Sequence, residues 1–274
     1  MTSISQHIFI VLLLLGAVAI AQHCNYEPAT QARNFAAAKN TRNEGRSKPL
    51  SFSDRFGSGT LDTTKWFVDT GNAPGNITGA NRGTLSAGHV DLSTGMLRLT
   101  LTQSASGTLA TSVGAEVRSK QLFGYGTYVW VMRAASTSAT PNGAGSAVSG
   151  TVTDAFNYID NSQTEIDFEY EGQLPSTLEM TNYATVTNSQ STSTSVPGAE
   201  NGFHEYKFIW TAAKIEFYVD GTLVSTHTEH IPSVPAAALI NLWGTNSKSF
   251  GGVATNGLTR YLYVSSFSYA PFPD

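Results

Sequence analysis

The chain has 274 residues and a single cysteine, Cys24. One thiol excludes an intrachain disulfide and any metal site built on paired cysteines. Charge is scarce, at 13% of residues, with 16 Lys and Arg against 20 Asp and Glu. A net charge of −4 gives no electrostatic footprint for nucleic acid or an anionic membrane. Long apolar runs are missing except at the start, where one extends from Ile8 to Ile20. That run is short for a membrane span. It ends in Ala19-Ile20-Ala21, although only His7 stands where a leader usually carries Lys or Arg. The pattern predicts a secretory signal over 1–21, cleaved before Gln22, and an extracellular or periplasmic protein with no stable membrane association. Ala21-Gln22-His23 does not suit a lipid-bearing Cys24. No Ser-His-Asp or metal-ligand spacing stands out, and His89 and His204 read as structural.

What is present in quantity is glycine (25), phenylalanine (14), tyrosine (11) and an apolar fraction of 41%, enough for a core. This is a β-protein composition. Residues 22–48 are polar and Ala-rich, a linker or tail with a short helix around Gln31 to Lys39. Residues 49–274 read as one domain. In it, short alternating segments follow one another. MLRLTLT puts Leu97, Leu99 and Leu101 on one face; GYGTYVWVMRA, EYKFIW and YLYVSSFSY repeat the pattern. In KIEFYVDGTLVSTHTE, Asp220-Gly221 marks a tight hairpin. Such strands with turn signals between them predict an all-β antiparallel sandwich. The stretches 136–150 and 187–202 read as long surface loops. Asn76-Ile77-Thr78 is a glycosylation sequon, which matters only in a eukaryotic host.

Four of the few acids fall at every second position of QTEIDFEYEG: Glu165, Asp167, Glu169 and Glu171. In a strand they share one face, with Ile166, Phe168 and Tyr170 on the other. A solvated edge usually mixes its charges, and calcium prefers oxygens clustered by a loop. A carboxylate pair for glycosidic bond cleavage fits better. Glu165 and Glu169 would have Cα atoms ~13 Å apart, and side chains reaching toward each other leave ~5 Å, the retaining separation; a wider gap suits inversion. Asp167 between them would help split their pKa values, leaving one Glu a proton donor and the other an ionised nucleophile.

Glu165-Ile166-Asp167-Phe168-Glu169 resembles the active-site motif of glycoside hydrolase family 16, the group of lichenases, laminarinases and the xyloglucan and chitin–glucan transglycosylases. The motif has no inserted residue, as on the lichenase and transglycosylase side. Further segments match in order: GAEVRSKQLFGYGTYVWVMRAA with Glu116 and Arg118, GTVTDAFNY with Phe156 and Tyr158, MTNYAT with Asn182 and Tyr183, FHEYKFIWTAAKIEFYVDG with Trp210, and IPSVPAAALINLWGTN with Asn241 and Trp243. The resemblance spans about residues 50–270. It implies a concanavalin A-like β-jelly roll with a substrate cleft on its concave face. It implies a retaining mechanism, with Glu165 as nucleophile, Glu169 as acid/base and Asp167 as auxiliary.

The same resemblance makes the other residues named with it candidates for holding the glycan. Arg118 would hold sugar hydroxyls or orient Glu165, or else pair with Glu116. Trp243 and Trp210 would stack on sugar rings or belong to the core. Of Phe156 and Tyr158, one is expected to be core. Buried Asn182 and Asn241 need partners, and sugar hydroxyls qualify. Thr164, Ala155, Ala184 and Glu171 depart from the family pattern, which loosens the inference about linkage. The expected activity is a secreted retaining endo-β-glycanase on β-1,3/1,4-glucan, working as a monomer without a cofactor; a structural calcium has no signature in the sequence. Alternatives are a transglycosylase of the same chemistry and a non-catalytic lectin-like sandwich.

Overall fold

The computed structural model describes residues 50–76, 80–159 and 162–272. The expected signal segment 1–21, the expected linker 22–48 and short helix around Gln31 to Lys39, Cys24, and Ile77-Thr78 of the sequon lie outside the described residues.

Alternation of apolar and polar side chains produces two layers. The first has the spatial order β12 (Asn188–Ser195), β11 (Thr177–Thr185), β10 (Thr164–Glu171), β9 (Thr151–Ile159), β16 (Ala236–Gly244), β7 (Leu109–Phe123) and β2 (Trp66–Asp69). The second runs β5 (Val90–Asp91), β6 (Leu97–Ser106), β17 (Arg260–Pro271), β8 (Gly126–Ser136), β13 (His204–Trp210), β14 (Ile215–Val219) and β15 (Thr222–His227), with β1 (Phe52–Asp54) beside the far half of β17. The hairpin of β6 and β7 joins the layers: Leu97–Leu101 pair with β17, while Thr102–Ser106 pair with Val113–Leu109. The result is an antiparallel β-jelly-roll sandwich. Among the described residues one pairing departs from that rule: β4 (Asn81–Leu85), itself paired with β3 (Gly71–Asn72), lies parallel to β7.

The core lies between the layers. Phe168 of β10 meets Tyr206 of β13 at 5.6 Å and Phe217 of β14 edge-on at 5.4 Å. Leu97, Leu99 and Leu101 are buried there, as their alternation predicts. Asp220 and Gly221 both take positive φ, 50° and 77°, which a two-residue type I′ hairpin demands.

Two expectations need correction here. The stretch 187–202 is not all loop, because Asn188–Ser195 forms β12 in register with β11. Its Ser and Thr side chains lack an apolar face, but an edge strand needs only backbone pairing and small polar contacts. Thr192 Oγ1 supplies one, donating to Ser225 Oγ of β15 at 2.8 Å. Trp210 is not a cleft residue. It sits on β13 in the second layer, points into the core, and donates its Nε1 proton to the Pro232 carbonyl at 3.0 Å.

Candidate active site

β10 is a regular strand. From Glu165 to Tyr170 it pairs with both β9 and β11 without a register shift. Ile166, Phe168 and Tyr170 therefore enter the core, and Glu165, Asp167 and Glu169 project together from the layer's outer face. All three are almost fully buried, at 0%, 1% and 2% exposure. The fourth acid, Glu171, is committed elsewhere: it accepts from the Gly251 amide at 2.5 Å and Gln173 Nε2 at 2.6 Å, and so anchors the loop after β16.

Burial dominates the electrostatics. It pushes Glu165 up to about 8, against the pull of a hydrogen bond from Ser162. Asp167 and Glu169 are pushed well above the carboxylate range by burial first, and then by neighbouring acids. Among the described residues, Glu165 is the member of the trio whose carboxylate has a side-chain donor. Ser162 Oγ donates to Glu165 Oε2 from a residue held at φ 56°. Glu165 Oε1, both Asp167 oxygens and Glu169 Oε1 lie buried with no hydrogen-bond partner among the described residues. Such oxygens need protons or ligand hydroxyls.

Around the trio, Tyr183 of β11 and Tyr158 of β9 flank Glu165 on either side. Phe156 lies opposite Asp167. Phe156 and Tyr158 are two residues apart, so both belong to this outer face, where they pack with Ala237 and Leu239; neither is in the central core. Asn241 donates to Glu116 Oε2 at 3.0 Å, and burial with the charge of Asp69 pushes Glu116 up to about 8. Arg118 grips Asp69 through Nε at 3.0 Å and Nη2 at 3.2 Å. Trp243 also points to the outer face, but Phe250 stacks on it at 5.9 Å and a Cβ on Gly75 would come within 2.7 Å of its ring. It forms a wall of the face and not an open platform.

Asn182 corrects another expectation. It pairs in register with core-facing Ile166, so its side chain points away from the acids. Its amide donates to the Glu229 and His230 carbonyls at 3.2 and 2.8 Å, and its oxygen contacts His227 Nδ1 at 2.6 Å. Ser162 and Asp154 are the residues that sequence reasoning missed. Asp154 stands opposite Glu169 on β9, fully within the outer face. Among the described residues no group of three or more His, Cys, Asp or Glu is arranged to hold a metal ion, since a strand spreads its acids along a line.

Residues 79–257 match the family described as glycosyl hydrolases family 16. The chain belongs to that family. As a family 16 member it is a glycoside hydrolase. It is 33% identical over 204 residues to the endo-1,3-1,4-beta-glycanase ExoK of Rhizobium meliloti, covering 72% of this chain and 70% of that one. It is 32% identical over 154 residues to a beta-glucanase of Paenibacillus macerans, covering 54% of this chain and 59% of that one. The beta-glucanase of Bacillus licheniformis superposes with a TM-score of 0.68 at 27% identity, covering 82% of this family 16 chain and all of that structure.

Proposed function

We propose that this family 16 hydrolase is a secreted, retaining endo-β-glycanase that cleaves β-1,3/1,4-glucan or a closely related β-glucan. The observation that carries the reading is the unshifted β10, which aims Glu165, Asp167 and Glu169 from one face at regular spacing. The names of the relatives support the substrate class, and the apolar leader ending in Ala19-Ile20-Ala21 supports secretion.

Glu165 Oε2 is held by Ser162, while Oε1 has no hydrogen-bond partner among the described residues. Oε1 is the oxygen that attacks the anomeric carbon. Glu169 gives its proton to the departing glycosidic oxygen as that bond breaks, leaving a glycosyl ester on Glu165. Glu169, now ionised, takes a proton from water as the water opens the ester. Asp167, between them without its own donor among the described residues, strengthens the split between the two roles.

The experiment uses the chain from Gln22 onward with mixed-linkage β-glucan, reading new reducing ends and, by NMR, the anomer first released. New ends with retained configuration are expected, and Glu165→Gln removes turnover while leaving glycan binding. An inverted product refutes the nucleophile. Binding without turnover in the unaltered chain returns the lectin-like alternative.

A further inference from the structure

Strand register builds a line of side chains that no single strand contains. Glu179 on β11 lies opposite Glu169 on β10, and Glu169 opposite Asp154 on β9. Asp154 lies opposite Asn241 on β16, Asn241 opposite Glu116 on β7, and Glu116 opposite Asp69 on β2. Opposed side chains of an antiparallel pair have Cβ atoms about 4.5–5.5 Å apart. The far end of the line is neutralised, since Arg118 grips Asp69 and Asn241 donates to Glu116. The middle is not. Asp154 is 2% exposed, and its Oδ1, like Glu169 Oε1, is buried with no hydrogen-bond partner among the described residues.

We propose that Asp154 is a positioning residue for the acid/base: it shares one proton with Glu169 across the β9–β10 pair and so keeps Glu169 ready to protonate the leaving oxygen. The inference rests on the reading of Glu169 as acid/base. Two carboxyls facing each other in a dry site resist ionising together. The charges acting on Glu169 are Asp154 first, then Glu179, Glu171 and Glu165; those acting on Asp154 are Glu165 and Glu116. All are acidic. Glu179, also opposite Glu169, is only partly buried, and Glu171 is occupied by Gly251 and Gln173, which leaves Asp154 as the fully buried carboxyl facing Glu169 with an oxygen open to the proton.

The charge balances through the cycle. In the reactive form, above the Glu165 titration near 8, Glu165 is ionised and the Asp154–Glu169 pair holds one proton. When that proton goes to the leaving oxygen the pair becomes doubly negative, but Glu165 has become a neutral ester. The pair then regains its proton from the attacking water. Asp154 thus makes Glu169 a better base at the step that needs one.

The test is Asp154→Asn, which keeps the shape and removes the charge, with Asp154→Ser as a second neutral variant. Two readouts are taken: the pH profile of kcat and KM on mixed-linkage β-glucan, and a 13C NMR titration of the Glu169 carboxyl, assigned with Glu169→Gln. Both neutral variants are expected to lower the basic limb of kcat and the Glu169 titration by one pH unit or more, with KM nearly unchanged. Asp154→Glu, which restores a carboxyl, is expected to move them back toward the unaltered chain. An unchanged Glu169 titration in both neutral variants overturns the proposal, as does Asp154→Glu behaving like Asp154→Asn. If the unaltered chain releases no reducing ends from any β-glucan, the proposed function fails, and the titration still decides whether Asp154 and Glu169 share a proton.

Discussion

Removing the Ser162 hydroxyl tests how Glu165, the proposed nucleophile, keeps its charge. Ser162 Oγ donates to Glu165 Oε2, and this is the contact that opposes the burial pushing Glu165 up to about 8. A hydrogen bond to an ionised group contributes about 1.5–3 kcal/mol. One pH unit corresponds to about 1.4 kcal/mol, so losing the donor raises the Glu165 titration by about 1–2 units. The acid limb of kcat/KM moves to higher pH by the same amount. Below the limb the rate falls about 10–100-fold. Ser162 sits at φ 56°, so Ser162→Ala keeps a strained backbone, whereas Ser162→Gly relieves it. Both variants are assayed by reducing-end release from pH 4 to 10. Equal shifts in Ala and Gly assign the effect to the hydroxyl. A shift in Ala alone assigns it to the backbone, and a limb that stays put in both refutes the role given to Ser162.

Stability should fall as pH rises. Glu165 and Glu116 have folded values raised from 4.5 to about 8, so the unfolded chain releases these protons first. Their contribution is full below about 4.5 and is lost as pH rises through about 8, each at a slope on the order of 1 kcal/mol per pH unit. Urea unfolding at pH 5, 6.5 and 8.5 reads this directly, and stability that increases over that window would contradict the burial of two neutral carboxyls. Trp210→Ala should cost about 3–5 kcal/mol of stability with KM for β-glucan unchanged, because the ring fills the core. Asn182→Ala should cost about 1–3 kcal/mol by stranding His227 and two carbonyls, again without a KM effect; a KM rise in a well-folded variant would put the residue back in the cleft.

The reading of β10 from sequence succeeds because strand alternation is local. Glu165, Asp167 and Glu169 share a face by spacing alone, and the Asp220-Gly221 hairpin is equally self-contained. Other features depend on neighbours that the sequence does not order. Trp210 and Trp243 end similar strands, yet one enters the core and the other the outer face, which depends on layer and register. β12 is invisible to apolar periodicity because one of its faces is serine and the other asparagine, glutamine and threonine. Phe156 and Tyr158 were assignable from spacing, since positions two apart share a face; expecting one of them in the core ignores that rule. Asp154 looks like an isolated acid along the chain and meets Glu169 only through pairing.

That line of opposed acids has a consequence for how the chain folds. A slip of β9 by one residue against β10 exchanges its two faces. Asp154 would then turn into the core, where Ala155 now faces Phe168, and Phe156 with it would leave its apolar neighbours. A carboxyl placed among those apolar side chains no longer faces Glu169, and burying a polar group unpaired costs several kcal/mol. A misregistered sheet is therefore rejected by the same residue that faces Glu169 in the correct one. The acids at the centre of this hydrolase also proofread the assembly of the layer that holds them.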